Sequence, residues 1–374
     1  MNGESSGRFR VLGRLRRAGA AVHSVPSCAR QLQPRYCVDQ RLARSPILQL
    51  TLALWCFPVL SACSAETSSD DADATPAVAA TADASDTVHV KFETVEDIEA
   101  FFEEVEYAPA HWAAGVREIP RMYVTEVGQR WRERSNSELT VEAKKRIFFR
   151  AMAPLALRSN ELIRVERERL LGLAGGTDLS DEERRWLAEL AEDYGLTPPV
   201  GAEGAGDGGA DAWDTLIDEL AVRVDEVPVS LVLAQSANES GWGTSRFAGE
   251  GNALFGQWSF GGSGMLPEAQ RASLSDYRVA AFETPLLSVI AYMRNLNTHS
   301  AYARLRELRA QARADGETPR GYSLAAGLDR YSERGQEYVD EIRSMIESNR
   351  LGDADETYLA PGPVYLVEPV EGGP

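Results

Sequence analysis

The segment Val227-Pro228-Val229-Ser230-Leu231-Val232-Leu233-Ala234-Gln235-Ser236-Ala237 is apolar almost without interruption, and Asn238-Glu239-Ser240-Gly241-Trp242-Gly243 follows at once. A helix through it has no polar face to offer water, so the fold must bury it on most sides, while Pro228 is tolerated in its first turn. Glu239 therefore emerges where the helix leaves the core. Gly241 and Gly243 can take the positive φ that ends a helix, and Trp242 has the bulk to shield the carboxyl from water and disfavour its ionised form. A carboxyl that keeps its proton towards neutral pH is what a general acid needs. Taken alone, a glutamate at a helix end is equally a cap or a solvated surface residue.

The surroundings are more specific. Ala234-Gln235-Ser236-Ala237-Asn238-Glu239-Ser240-Gly241-Trp242-Gly243-Thr244-Ser245-Arg246-Phe247-Ala248, followed by Gly251-Asn252-Ala253-Leu254-Phe255-Gly256-Gln257-Trp258, resembles the core motif of the glucosaminidase family, glycoside hydrolase family 73. Asn295-Leu296-Asn297-Thr298-His299-Ser300-Ala301-Tyr302 and Leu328-Asp329-Arg330-Tyr331-Ser332-Glu333-Arg334-Gly335-Gln336-Glu337-Tyr338-Val339 resemble its Bax-type bacterial branch. So does Lys144-Lys145-Arg146-Ile147-Phe148-Phe149, with Pro154, Asn160, Arg164 and Arg167 after it. The resemblance runs over about residues 90–351.

It implies a mainly α fold: a lysozyme-like helical domain with a small β-hairpin or loop lobe beside a cleft. It also implies hydrolysis of the β-1,4 bond between N-acetylglucosamine and N-acetylmuramic acid in peptidoglycan, with Glu239 as proton donor. Tyr331 is carried over as a second catalytic residue, orienting an acetamide or stabilising developing charge; a phenol is both donor and acceptor. Trp242, Phe255, Trp258 and Tyr292 are candidates to line the cleft, because sugar faces stack on aromatic rings, and core packing is the alternative for each. Asn252 and Gln257 offer amides suited to N-acetyl groups.

Glycoside cleavage also needs a group on the far side of the sugar: a water, a second carboxylate or the substrate's own acetamide. Ser259 to Glu283 reads as a glycine-rich loop leading into a strand. Bax-type relatives tend to carry a glutamate there where this chain has Arg278. Asp276 is the first candidate for the second acid, with Glu268 and Glu283 behind it; if none faces Glu239, a substrate-assisted route is the better account. A lytic transglycosylase and a non-catalytic wall-binding lipoprotein remain alternatives on the same fold.

Residues 1–62 read as a leader, with an apolar stretch at 46–62 too short for a comfortable membrane span. It ends in Leu60-Ser61-Ala62-Cys63, which resembles a bacterial lipobox with Cys63 as the lipid-bearing residue; ordinary cleavage nearby is the alternative. Residues 63–87 are a flexible tether. Residues 88–196 are expected to be helical, with a capping box at Ser180 and Glu183. A Gly/Pro-rich loop at 197–212, a core at 213–352 and a disordered acidic tail at 353–374 complete the order.

The chain has 39 basic and 57 acidic residues; without residues 1–62 it would carry 30 and 55, a charge near −25. Nucleic acid is an unsuitable partner at that balance. The expected partners are peptidoglycan glycan strands and, through a lipid anchor only, a membrane, with the chain a monomer on the periplasmic face of the outer membrane. Cys28, Cys37 and Cys56 lie in the leader, so a chain beginning at Cys63 holds no disulfide or Cys-based zinc site. His23, His89, His111 and His299 lack metal spacing; no cofactor is expected.

Overall fold

In the computed structural model, residues 87–175, 178–199, 210–260, 264–267 and 277–368 are described. In chain order the strands are β1 (Thr87–Lys91), β2 (Glu118–Val124), β3 (Trp258–Phe260), β4 (Tyr277–Val279) and β5 (Tyr358–Glu368). The helices are α1 (Val95–Glu104), α2 (Pro109–Ala113), α3 (Gln129–Glu138), α4 (Val141–Leu173), α5 (Asp181–Asp193), α6 (Ala210–Arg223), α7 (Val229–Ser240), α8 (Arg246–Gly251), α9 (Pro285–Thr298), α10 (Ala303–Ala314), α11 (Gly321–Leu324) and α12 (Gln336–Ser348). Short 3-10 turns lie at Ser300–Tyr302, Ala325–Gly327 and Leu351–Glu356. The result is the expected mainly helical, lysozyme-like domain with a small β lobe, in which β3 pairs antiparallel with β4, Trp258 opposite Val279.

The helix α7 is buried along nearly its whole length, from Val229 through Ala237. It packs against α4, α11, α12 and the 3-10 turn at Leu351–Glu356. The 33-residue α4, about 50 Å long, is the backbone of the domain and packs on α6, α7, α9 and β2. Thr140 caps its start by accepting from the Ala143 N–H. The expected capping box of α5 is present, with Ser180 and Glu183 satisfying each other's backbone N–H groups.

The junction between α6 and α7 is clamped by polar side chains. Asn160 on α4 donates to the Val227 carbonyl at 2.8 Å and accepts from its N–H at 3.0 Å. One turn on, Arg164 reaches Glu226 at 2.6 Å, and Arg167 donates to the carbonyls of Ala221 and Val224 at 2.6 Å each. These three residues, spaced to share one helix face, are among those that carried the Bax-type resemblance; their role here is to seat the start of α7.

The other end of that seat comes from an unexpected quarter. Asp355 accepts from the Ser230 N–H and hydroxyl, both at 2.8 Å, and from the Gly321 N–H at 3.0 Å. The carboxylate thus caps the first turn of α7, where backbone donors lack intrahelical partners. Gly321 lies so close that a Cβ there would sit 2.1 Å from the Ser230 hydroxyl.

Three sequence expectations are corrected. Residues 353–368 are not a disordered tail: they include the Asp355 turn and β5, the central strand of a three-stranded parallel sheet ordered β1-β5-β2. Nor is 88–196 purely helical, since β1 and β2 flank β5. The β5 strand hides from pattern reading because Pro361, Gly362 and Pro363 interrupt it. Prolines cannot donate to a ladder, so pairing with β2 jumps from Ile119 opposite Leu359 to Arg121 opposite Val364. The Arg121 guanidinium Nε–H takes up the freed Ala360 carbonyl at 3.0 Å. A single apolar core reaches from Phe101 to Val367 and joins the N-terminal helical part to the 213–352 core. The helix α6 also starts at Ala210, inside the segment read as a loop.

Because Asp355 holds three donors at a helix start, Asp355→Ala should lower unfolding free energy by roughly 1–3 kcal/mol. Urea denaturation would check this; an unchanged midpoint would show that the cap contributes nothing.

Candidate active site

Glu239 is the next-to-last residue of α7 and is half-buried. The helix ends immediately beyond it because Gly241 adopts φ 57°, sending its own N–H and that of Trp242 to the Ala237 carbonyl. Gly243 continues the left-handed turn at φ 74°, where a Cβ would meet the Trp131 indole at 3.1 Å and Phe148 at 3.3 Å. Both glycines do what their positions in the sequence suggested.

The Glu239 carboxyl meets tyrosines. Its Oε1 accepts a 2.7 Å hydrogen bond from the Tyr338 hydroxyl, with a longer 3.4 Å contact from the Asn238 amide. Tyr338 in turn accepts from the Gln235 amide at 2.8 Å, and Gln235 accepts from the hydroxyl of Tyr292. Gln235 sits one turn before Glu239, hence on the same helix face. The chain Tyr292, Gln235, Tyr338, Glu239 is directional: each hydroxyl spends its only proton on the next group. Gln235 and Tyr292 are wholly buried, so neither can turn to water instead.

Burial pushes the Glu239 pKa above the usual carboxylic range, and it outweighs the opposing pull of the Tyr338 and Asn238 hydrogen bonds and of the Arg334 charge; Glu341 adds a smaller push upward. Desolvation therefore acts on this carboxyl in the direction expected from sequence. Its shield is different. The Trp242 indole turns to α4, edge-on to Phe149 at 5.0 Å and Phe148 at 5.9 Å, with the Lys145 ammonium 5.1 Å from its ring centre. Its carbonyl accepts from the Trp131 indole N–H at 2.9 Å. Trp242 thus fastens the glycine turn to the rest of the domain.

Tyr331 lies in the tyrosine cluster, its ring stacked on Tyr338 with centroids 5.3 Å apart and planes 7° off parallel. Its hydroxyl donates to the Phe255 carbonyl at 3.1 Å, and the Glu239 charge contributes, behind burial, to raising its pKa. It braces Tyr338 while Tyr338 holds the carboxyl. Tyr338 was not singled out from the sequence, although it lies in the same quoted motif. The usable signal was its place on the apolar stripe of α12 with Val339, Ile342 and Ile346, since a buried phenol there must find a polar partner.

The remaining candidates divide by exposure. Phe255 and Tyr292 are core residues stacked on each other at 3.8 Å. Asn252, in a left-handed conformation at φ 52°, is fully engaged: it accepts from the Val127 N–H and donates to the carbonyls of Phe282 and Glu283. Gln257 is half-buried, its amide oxygen without a hydrogen-bond partner among the described residues. Trp258, 49% exposed at the head of β3, is the member of the set that faces solvent most. Glu283 is exposed. Arg278 stands in β4 opposite Ser259, and its guanidinium donates to the Gly264 carbonyl at 3.2 Å. Asp276, Glu268 and Cys63 lie outside the described residues. Among the described residues, no cluster of His, Cys, Asp or Glu is suited to a metal ion, and no helix is long and apolar enough to cross a membrane.

Comparison with known proteins places this geometry. A glucosaminidase profile, described as mannosyl-glycoprotein endo-beta-N-acetylglucosaminidase, matches residues 216–351, which hold α7 and the tyrosine cluster. The chain is 31% identical over 207 residues to Protein bax of Escherichia coli (strain K12), an alignment covering 55% of this chain and 70% of that protein. The chain belongs to the glucosaminidase family, in its Bax-type branch. No solved structure matches it. The family is one of glycosidases.

The Tyr338 hydrogen bond favours the ionised form of Glu239, so removing it must raise the carboxyl pKa further. Carbon-13 NMR titration of the Glu239 side chain should give a higher midpoint in Tyr338→Phe than in the parent protein. An equal or lower midpoint would mean that Tyr338 does not hold the carboxyl in solution.

Proposed function

We propose that the protein is a peptidoglycan hydrolase that cleaves the β-1,4 bond between N-acetylglucosamine and N-acetylmuramic acid, with Glu239 as general acid. The observation that carries this reading is the half-buried Glu239 carboxyl at the end of α7, held by the Tyr338 hydroxyl, with desolvation pushing its pKa upward. A glycosidic oxygen leaves poorly as an alkoxide. Glu239 supplies its proton as the bond to the anomeric carbon breaks, and positive charge spreads over that carbon and the ring oxygen. A carboxylate or the substrate's acetamide attacking from the opposite face forms an intermediate, and water then enters from the Glu239 side and gives its proton to the ionised Glu239. Where water itself attacks from the opposite face, a base on that face takes its proton. Family membership supports a glycosidase; the choice of peptidoglycan and of this bond follows from the Bax-type motifs.

Tyr338 and Gln235 fix the carboxyl before substrate arrives, so orientation is not lost at the moment of proton transfer. Asp276 is our first choice for the far side of the sugar, with the substrate's acetamide as the route if Asp276 is not required. Tyr331, bracing Tyr338 from behind, is placed to keep this arrangement as the cluster accepts a sugar. Trp258 offers an exposed aromatic face for stacking.

Residues 88–374, purified, should release peptidoglycan fragments ending in reducing N-acetylglucosamine. Glu239→Gln should lose at least about a hundredfold in rate, and Asp276→Asn should lose a comparable factor only if a second carboxylate is used. Folding provides the control. A carboxyl whose pKa is raised by folding costs stability as pH rises through the interval between its unfolded and folded values. Glu239→Gln should therefore unfold at neutral pH no earlier than the parent. A well-folded, fully active Glu239→Gln protein would refute the assignment, and 1,6-anhydromuramyl products would make the enzyme a lytic transglycosylase.

For cellular placement we propose lipid attachment at Cys63, within Leu60-Ser61-Ala62-Cys63, putting the enzyme in the envelope on the periplasmic face of the outer membrane. Metabolic labelling with an alkynyl fatty acid should mark the parent protein and not Cys63→Ser; equal labelling of both would exclude that site.

A further inference from the structure

Between the tyrosine cluster and α12 the chain runs Ser332-Glu333-Arg334-Gly335. Gly335 turns it into the helix at φ 55°, and the Arg334 N–H reaches the Ser332 hydroxyl at 3.3 Å. This tight turn brings the Arg334 side chain back over the ring of Tyr338, its guanidinium carbon 5.7 Å from the ring centre. Tyr338 is the residue whose hydroxyl holds Glu239. The guanidinium also pairs with Glu341, about one turn beyond Tyr338 on α12. Both partners of that pair are open to solvent, at 50% and 40% of their side-chain surface.

Three features separate Arg334 from an ordinary surface cation. It is open to solvent and stands over the ring of the tyrosine that grips the proton donor. Its charge is felt at Glu239, where it opposes the proton-holding tendency that burial creates. A cation there works against general-acid chemistry unless it has a use in binding. Finally, its present partner is an exposed carboxylate, the kind of pairing that is weak in water and readily exchanged. A planar guanidinium fork suits another carboxylate equally well.

Resting on the peptidoglycan reading, we propose that Arg334 is a substrate-binding residue that recognises a carboxylate of the glycan strand beside the scissile bond, exchanging Glu341 for it. Muramoyl residues carry such a group in two forms: the lactyl carboxylate where the stem peptide is absent, and the carboxylates of the stem where it is present. One carboxylate replaces another at the guanidinium, so the exchange adds binding energy for muramoyl-containing strands without requiring a change in the charge balance around Glu239. A polymer of N-acetylglucosamine alone would lack this effect.

The test is binding in a Glu239→Gln background, where turnover does not intervene, measured by calorimetry with four probes. These are a muramoyl-containing tetrasaccharide with free lactyl carboxylates, the same compound methyl-esterified, a stem-bearing tetrasaccharide, and a tetramer of N-acetylglucosamine. At least one carboxylate-bearing probe should bind about tenfold more tightly than the ester and the tetramer. Arg334→Gln should abolish that margin while leaving the uncharged probes unchanged, and Glu341→Gln, which frees the guanidinium, should widen it. A margin for the free lactyl form alone identifies that group, and one for the stem-bearing form alone identifies the peptide. Equal binding of all four probes, or a margin that survives Arg334→Gln, overturns the proposal while leaving the hydrolase intact. Binding of none of the four overturns both.

Discussion

The hydrogen bond from the Tyr338 hydroxyl to Glu239 is the interaction around which this domain is arranged. A carboxyl at the mouth of a buried helix faces two opposed demands. Taken from water it resists ionisation, and left without a donor it is costly to bury in either form. A phenol meets both, because it satisfies an oxygen without bringing a charge. The net outcome in the structure is a raised pKa, so desolvation exceeds the hydrogen bonding. That balance depends on geometry far from the carboxyl, since the donor must arrive from α12 at the level of the last turn of α7.

Position along α7 is set at its start. Asp225 lies just before the helix and is almost wholly buried, paired with Arg313 through two 2.6 Å hydrogen bonds. Arg309, also fully buried, donates to the carbonyls of Val222, Arg223, Asp225 and Glu226 and to the Asn297 side chain. The first two carbonyls belong to the C-terminal end of α6, where a cation offsets the partial negative charge of the helix. Burial pushes the Arg309 pKa down to about 10, still well above neutrality. A buried guanidinium is a poor source of stability in itself. Its value here is directional: five acceptors at fixed angles, together with Asn160 on the Val227 peptide, allow one placement of the chain that enters α7. With Asp355 on Ser230 the start of the helix is held on both sides, and a displacement of about an ångström would break the 2.7 Å contact at its other end.

The legible part of this design was local. An apolar run, a glutamate at its end and two glycines beyond it announce themselves, because helix burial and positive φ leave signatures in adjacent residues. Motif resemblance added Asn160, Arg164 and Arg167 without saying what they do. Contacts between distant segments were not legible. Asp355 lies in a stretch whose acidity and prolines suggest disorder, and nothing nearby reveals that it caps a helix 125 residues earlier. The β5 strand has an unbroken apolar run only over Val364 to Val367, and its partners lie 240–277 residues earlier in the chain. Trp242 was read as the shield of its sequence neighbour, yet the left-handed turn that carries it, at φ 63°, points the indole to α4. Asn252 looked like a ligand for an acetamide because amides are adaptable; its own left-handed backbone instead commits the side chain to three loop peptides.

The chemistry of the neighbours explains why tyrosine rather than a stronger donor surrounds Glu239. Lysine or arginine in hydrogen-bond contact would give a shorter, charge-assisted bond, but it would stabilise the carboxylate and lower the pKa. Water would do so as well. Of the phenols at Tyr292, Tyr302, Tyr331 and Tyr338, Tyr331 lies against Tyr302 and Tyr338, and the donor in contact with the acid is the neutral Tyr338 hydroxyl. Their own pKa values are driven upward by burial, and the Glu239 charge contributes at each. They therefore remain proton donors throughout the range in which the carboxyl titrates. A cluster that does not ionise in that range does not compete with Glu239 for a proton, and it leaves burial as the largest influence on that carboxyl.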